Sequence, residues 1–216
     1  MKTFLFTLIL LSSYCFAEDG LTVPNSFKVG RSGHVYRGRE PKKLISEFRP
    51  FGITDVIIFK NDVKGEVVEE IAGLTDLGIK SHHIPFRWKE YSSMIEACEQ
   101  TVEALNIIAK VSATNGKVFF HCTAGEDRTG MLAGLFRMLE DNLTREETFS
   151  QEMCPRGFSD GNVKKPGMVT GAIQKELTPL FIALSAKVAS GEWRLGKISK
   201  KSCQGLTVAP TTLKCR

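Results

Sequence analysis

The chain is expected to fold as an α/β protein, a central, mostly parallel sheet flanked by helices. Three observations carry that expectation. Short apolar runs alternate with longer stretches of helical period. One apolar run, Lys117-Val118-Phe119-Phe120, leads directly into a short glycine-containing loop and then a helix-compatible stretch. The 216 residues are 42% hydrophobic and 25% charged, enough for one sizeable core without splitting into domains. Strands that alternate with helices pair in parallel, and their carboxyl edge is where ligands usually bind.

Taken in order, Met1-Lys2-Thr3, the apolar run at 4–11 and the segment ending Cys15-Phe16-Ala17 have the three regions of a secretory signal peptide. Cleavage is expected after Ala17, giving a leader at 1–17, a single domain at 18–216, and a periplasmic or secreted location. The leader's apolar run is too short to span a bilayer. No other run reaches spanning length, so the mature chain is expected to have no membrane partner. Residues 54–59 form a buried strand closed by the polar Lys60-Asn61-Asp62, and 66–77 a helix closed by Gly78. Residues 79–86 are the next strand and 92–111 a long amphipathic helix. After the strand at 117–120 come helices over 128–139, 145–153 and 172–188. Residues 190–216, rich in Gly, Lys, Ser and Thr, are expected to wrap the domain irregularly. There is no internal repeat.

The most informative stretch is Phe119-Phe120-His121-Cys122-Thr123-Ala124-Gly125-Glu126-Asp127-Arg128-Thr129-Gly130. Of the six cysteines, only Cys122 has an arginine six positions on. A loop of this length can turn the backbone N–H groups of Thr123, Ala124, Gly125 and Glu126 toward one point, making an anion nest. The helix that follows adds its free N–H groups and positive dipole end. The same field lowers the pKa of Cys122. Arg128 can hold two phosphate oxygens with parallel hydrogen bonds and stabilise charge during transfer to sulfur. Gly125 permits a positive φ or a close approach. His121 and Thr129 are each expected to donate a hydrogen bond toward the sulfur. The bland alternative is an inert core cysteine at a strand end.

The run His121-Cys122-x-x-Gly125-x-x-Arg128-Thr129-Gly130 resembles the signature loop of the cysteine-based protein tyrosine phosphatase superfamily. Asn25-Ser26-Phe27-Lys28-Val29-Gly30, with Val35-Tyr36-Arg37-Gly38-Arg39-Glu40-Pro41, resembles the opening strands of the compact dual-specificity type. The stretch at 148–158, with Glu152-Met153 and Gly157-Phe158, is similar to a helical segment downstream in several of them. The resemblance implies a dual-specificity phosphatase fold and catalysis by Cys122, Arg128 and a general acid. In most relatives that acid is an aspartate some 30 residues before the cysteine. The corresponding segment here, His83-Ile84-Pro85-Phe86-Arg87-Trp88-Lys89-Glu90-Tyr91, has none. Asp127 is the preferred replacement, by analogy with the lipid phosphatases of the myotubularin and Sac types, which carry an aspartate inside the loop. Glu90 is the alternative acid, with a histidine or water as the remaining option. A structural partnership for Asp127, and solvent exposure for Glu90, are the competing readings.

The formal net charge is +5, and loss of Lys2 with the leader lowers it by one. This mild basicity suits an anionic small molecule and makes no case for nucleic acid. Arg87 and Lys89 are the candidate contacts to a second phosphate. His82 and His83 are further candidate cations, offsetting Glu126 and Asp127, though each also reads as a polar strand end. No spacing calls for a metal, and no cofactor is expected. After leader removal Cys98, Cys122, Cys154, Cys203 and Cys215 remain, an odd number that fits one free thiol and up to two disulfides. Cys203 with Cys215, near in sequence, is the expected bridge, with Cys98 and Cys154 as core residues.

Three functions stay open. The first is an exported phosphomonoesterase acting through a phosphocysteine on inositol polyphosphates such as phytate, since the chain looks like a small member of the exported bacterial phytases of that superfamily. The second is a tyrosine or dual-specificity protein phosphatase. The third is a non-catalytic phosphate-binding module, against which the intact Cys122 and Arg128 argue. Oligomeric state is left undefined.

Overall fold

The computed structural model describes residues 20–86, 94–208 and 213–215. The leader therefore lies outside the described residues, as do Arg87, Lys89 and Glu90. Five strands form one sheet in the order β1-β2-β5-β3-β4: β1 Phe27–Lys28, β2 Val35–Arg39, β3 Asp55–Ile58, β4 Lys80–His83 and β5 Val118–Cys122. Only β1 runs antiparallel to its neighbour. The mostly parallel α/β architecture expected from the sequence is therefore present. β4 is shorter than expected, because the ladder with β3 ends at the Ile58–His83 pair.

Alternation along the strands divides the core in two. Val56, Ile58 and Phe119 face one side with Phe48, Val67 and Leu74. The last three come from two helices, α1 Phe48–Phe51 and α2 Glu66–Asp76. Ile57, Phe59, Val118 and Phe120 face the other side, a larger core with Leu105, Leu132, Phe136 and Phe181. These belong to α3 Met94–Ala113, α4 Asp127–Asp141 and, later in the chain, α7 Thr178–Ala189. Between α4 and α7 lie α5 Arg145–Thr148, a π-helical turn at Phe149–Met153, and α6 Gly167–Ala172. Gly134 of α4 allows this turn to pack close: a Cβ there would sit 2.8 Å from the sulfur of Met153.

The disulfides correct the expected pairing. Cys98 of α3 is bonded to Cys203, and Cys154 to Cys215. Nearness in sequence was a poor guide, because the tail crosses helices rather than folding on itself. Cys203 closes a 3-10 turn, Lys200–Cys203, that packs on α3. There Lys200 Nζ lies 2.7 Å from Glu103, and Asn106 donates to the carbonyl of Ile198 at 2.8 Å. Cys98–Cys203 spans 105 residues, for which the chain-entropy picture gives about 4–5 kcal/mol of stabilisation. Cys122 is the free cysteine among the described residues.

Candidate active site

β5 ends on Cys122 and α4 begins five residues later, so the loop between them sits at the carboxyl edge of the sheet. Thr123 and Ala124 are exposed at its mouth, while Cys122 keeps only 3% of its surface. Gly125 meets both requirements read from the sequence. Its φ is +70°, and a Cβ there would lie 2.4 Å from the carbonyl oxygen of Gly38 and 2.5 Å from the nitrogen of Arg39. The loop is thus pressed against β2 closely enough that only glycine fits.

Burial pushes the Cys122 thiol up. The Arg128 guanidinium, together with the hydroxyl and backbone N–H of Thr129, pulls it down further, while Asp127 opposes them weakly. The net pKa lies below that of an ordinary thiol. The buried Thr129 hydroxyl has no oxygen or nitrogen partner among the described residues, which leaves it for the sulfur. Arg128 donates to the carbonyl of Phe86 at 3.1 Å and to the Thr123 hydroxyl at 3.4 Å, which holds its planar fork beside the loop.

His121 does not take the role expected of it. Its Nε2 lies 2.8 Å from Oε1 of Glu70 on α2, and its Nδ1 is 3.2 Å from the Cys122 carbonyl. Successive strand residues project to opposite faces, so a histidine directly before Cys122 in β5 cannot share its side. His82 and His83 are likewise committed elsewhere, to Asp55 at 2.7 Å and to the Lys60 carbonyl at 2.9 Å.

The two carboxylates of the loop share a lysine. Lys165 Nζ lies 2.5 Å from Asp127, 3.0 Å from Glu126 and 2.8 Å from the Gly157 carbonyl. Asp127 also accepts the backbone N–H of Ser159 at 2.8 Å, and Glu126 accepts from Asn162 at 2.9 Å. Burial raises the Asp127 carboxyl above the usual carboxylate range, although Lys165 and the Ser159 N–H pull the other way. The structural partnership read as a competing role for Asp127 is therefore present, and the carboxyl still holds its proton more tightly than a solvated aspartate.

Sequence reasoning missed Lys165, Asn25 and the pair Arg37–Glu152. Arg37 is fully buried and donates to Glu152 at 2.9 Å and to the Gly125 carbonyl. Asn25 donates to the same carbonyl at 2.9 Å. One signal was available: an arginine flanked by Val35, Tyr36 and Gly38 has no solvent side to occupy in a central strand. Lys165 carried no such mark, sitting among other polar residues.

Comparison with known proteins adds the family. No curated protein matches the chain. Among solved structures, a DUF442 protein from Shewanella putrefaciens is 17% identical, aligned over 79% of this chain and 94% of its own, with a TM-score of 0.52. A mutant form of Tk-PTP is 19% identical over 73% of this chain and 93% of its own, with a TM-score of 0.51. The core catalytic domain of the PP-IP phosphatase SIW14 from S. cerevisiae, in complex with citrate, is 21% identical over 60% and 74%, with a TM-score of 0.49. The first two share the fold. A family model, described as the tyrosine phosphatase family, matches residues 31–141 and takes in the whole loop from Cys122 to Arg128. This chain belongs to that family, the cysteine-based tyrosine phosphatases.

Proposed function

We propose that the protein is an exported phosphomonoesterase that works through a phosphocysteine on Cys122, with inositol polyphosphates as substrates. The observation that carries the chemistry is the free Cys122, its pKa lowered by Arg128 and Thr129 at the start of α4. The thiolate attacks phosphorus in line; an S–P bond forms as the P–O ester bond breaks. Arg128 and the loop N–H groups hold the equatorial oxygens. Asp127, whose raised pKa favours the protonated form, gives its proton to the departing alkoxide. Its carboxylate then draws a proton from water, which attacks the phosphocysteine, releases inorganic phosphate and restores the thiolate.

Export is supported by two disulfides, since such bonds persist in oxidising compartments. An enzyme outside the cytoplasm meets little protein phosphotyrosine, and a phosphate-gathering role on small polyphosphates suits it better. Membership of the tyrosine phosphatase family favours the second reading, a protein tyrosine phosphatase.

Mature protein offered inositol hexakisphosphate, a phosphotyrosyl peptide and an aryl phosphate, beside Cys122→Ser, separates the readings. The inositol ester is expected to release phosphate and the variant none. A clear preference for the peptide overturns the substrate assignment and leaves the mechanism. Phosphate release that survives in Cys122→Ser overturns the mechanism.

A further inference from the structure

We propose that Arg37 is a positioning residue for the phosphate loop: with Asn25, and held in place by Glu152, it fixes the Gly125–Glu126 peptide so that its N–H faces the bound phosphate. This rests on the reading of the loop as the phosphate site.

A trans peptide unit carries its C=O and N–H on opposite sides. Whatever anchors the carbonyl of Gly125 therefore aims the N–H of Glu126. Two side chains hold that carbonyl, the Arg37 guanidinium through Nη2 and the Asn25 amide at 2.9 Å. Both come from the N-terminal segment, far along the chain from the loop. A buried carbonyl needs such a partner, but a neutral donor alone would satisfy it. A charged one in a fully buried site is costly unless it is paired with good geometry.

The pairing extends beyond two residues. Glu152 is fully buried in the π-helical turn and meets Arg37 at 2.9 Å, but Arg137 and Arg156 also approach it at 3.4 Å each. One carboxylate thus faces three guanidiniums, of which Arg137 is also paired with Asp141, so Glu152 serves chiefly the buried Arg37. Burial and Glu152 dominate the Arg37 guanidinium, and the charge on Cys122 adds a smaller attraction. Arg128 therefore acts on the thiolate from the loop, while Arg37 acts by setting the loop backbone. Arg156 is itself braced, its guanidinium 4.3 Å from the ring centre of Phe27.

The test uses the full mature chain with Arg37→Lys and Asn25→Ala, each checked by thermal unfolding. Arg37→Lys keeps the charge and loses the planar fork that reaches both Glu152 and Gly125. Three readouts are needed: inhibition by vanadate, kcat and KM on an aryl phosphate, and the pH dependence of Cys122 alkylation. Arg37→Lys is expected to lower kcat by about 10²-fold, the scale of one lost oxyanion donor, and to weaken vanadate inhibition in parallel. Asn25→Ala, which removes a neutral hydrogen bond, should lower both by about fivefold. In Arg37→Lys the Cys122 titration should move to higher pH. If both variants melt earlier but keep vanadate inhibition, kcat and the thiol titration at the parent values, Arg37 is a structural ion pair and the proposal fails. If the parent protein releases no phosphate from any ester, the functional reading fails instead. Vanadate binding and Cys122 alkylation still decide Arg37 in that case.

Discussion

Two ion-pair clusters grip the phosphate loop, one at Gly125 and one at Glu126–Asp127, and they are built to different specifications. Arg37 and Glu152 are wholly buried, and each has a partner fixed by packing. Lys165 is nearly as buried, but the two carboxylates it joins keep 18% and 19% of their side-chain surface exposed. A dry, fully packed ion pair holds geometry. A part-solvated carboxylate with a raised pKa can gain and lose a proton during turnover. The contrast suggests a division of labour within a few residues: the inner cluster sets where the N–H groups point, and the outer one sets when a proton is available.

Breaking the inner cluster should have the largest effect. Glu152→Ala strands the Arg37 charge in the core, and denaturant unfolding should show a loss of about 3–5 kcal/mol. A loss below 1 kcal/mol would mean that Arg137 and Arg156 hold no shared charge there, and that the comparison is drawn in the wrong place.

Next in size is Asp127→Asn. On alkyl phosphates kcat should fall on the order of 10²-fold, with a far smaller fall on esters with good leaving groups. The pH profile sharpens the assignment. Activity should rise as Cys122 ionises, below the ordinary thiol range, and fall again as Asp127 loses its proton. Asp127→Asn should abolish the fall at high pH. If Glu90→Gln shows that pattern instead, the acid belongs to the 87–93 segment.

The smallest effect is expected from Lys165→Met. The lysine draws the Asp127 pKa down, so its removal should shift the alkaline limb to higher pH with less than about tenfold change in kcat. An unmoved limb would separate Lys165 from the proton and leave it as a brace for the 157–165 segment.

Most of this site was legible where its parts are contiguous. Cys122, Gly125, Arg128 and Thr129 fall in one run, and the strand before it and helix after it follow from periodicity alone. The His121 error was avoidable, because the period of two along β5 already excludes two neighbouring side chains from one face. The outer cluster was not legible in the same way. Lys165, Ser159 and Asn162 reach the loop through a chain of short turns whose path has no periodic signature. The disulfides failed for a related reason: Cys98 and Cys203 meet because the tail packs on α3, a tertiary fact that spacing does not encode. Arg37 lay between these cases, a visible oddity whose partner Glu152 comes from a distant π-helical turn.

The claim on which the rest depends is that phosphate passes through the sulfur of Cys122. Rapid acid quench during turnover of an aryl phosphate, followed by peptide mass analysis, tests it directly. The peptide bearing Cys122 should carry the mass of one phosphoryl group, and the label should disappear as substrate is exhausted. Steady turnover with that peptide unmodified at every quench time would contradict the account.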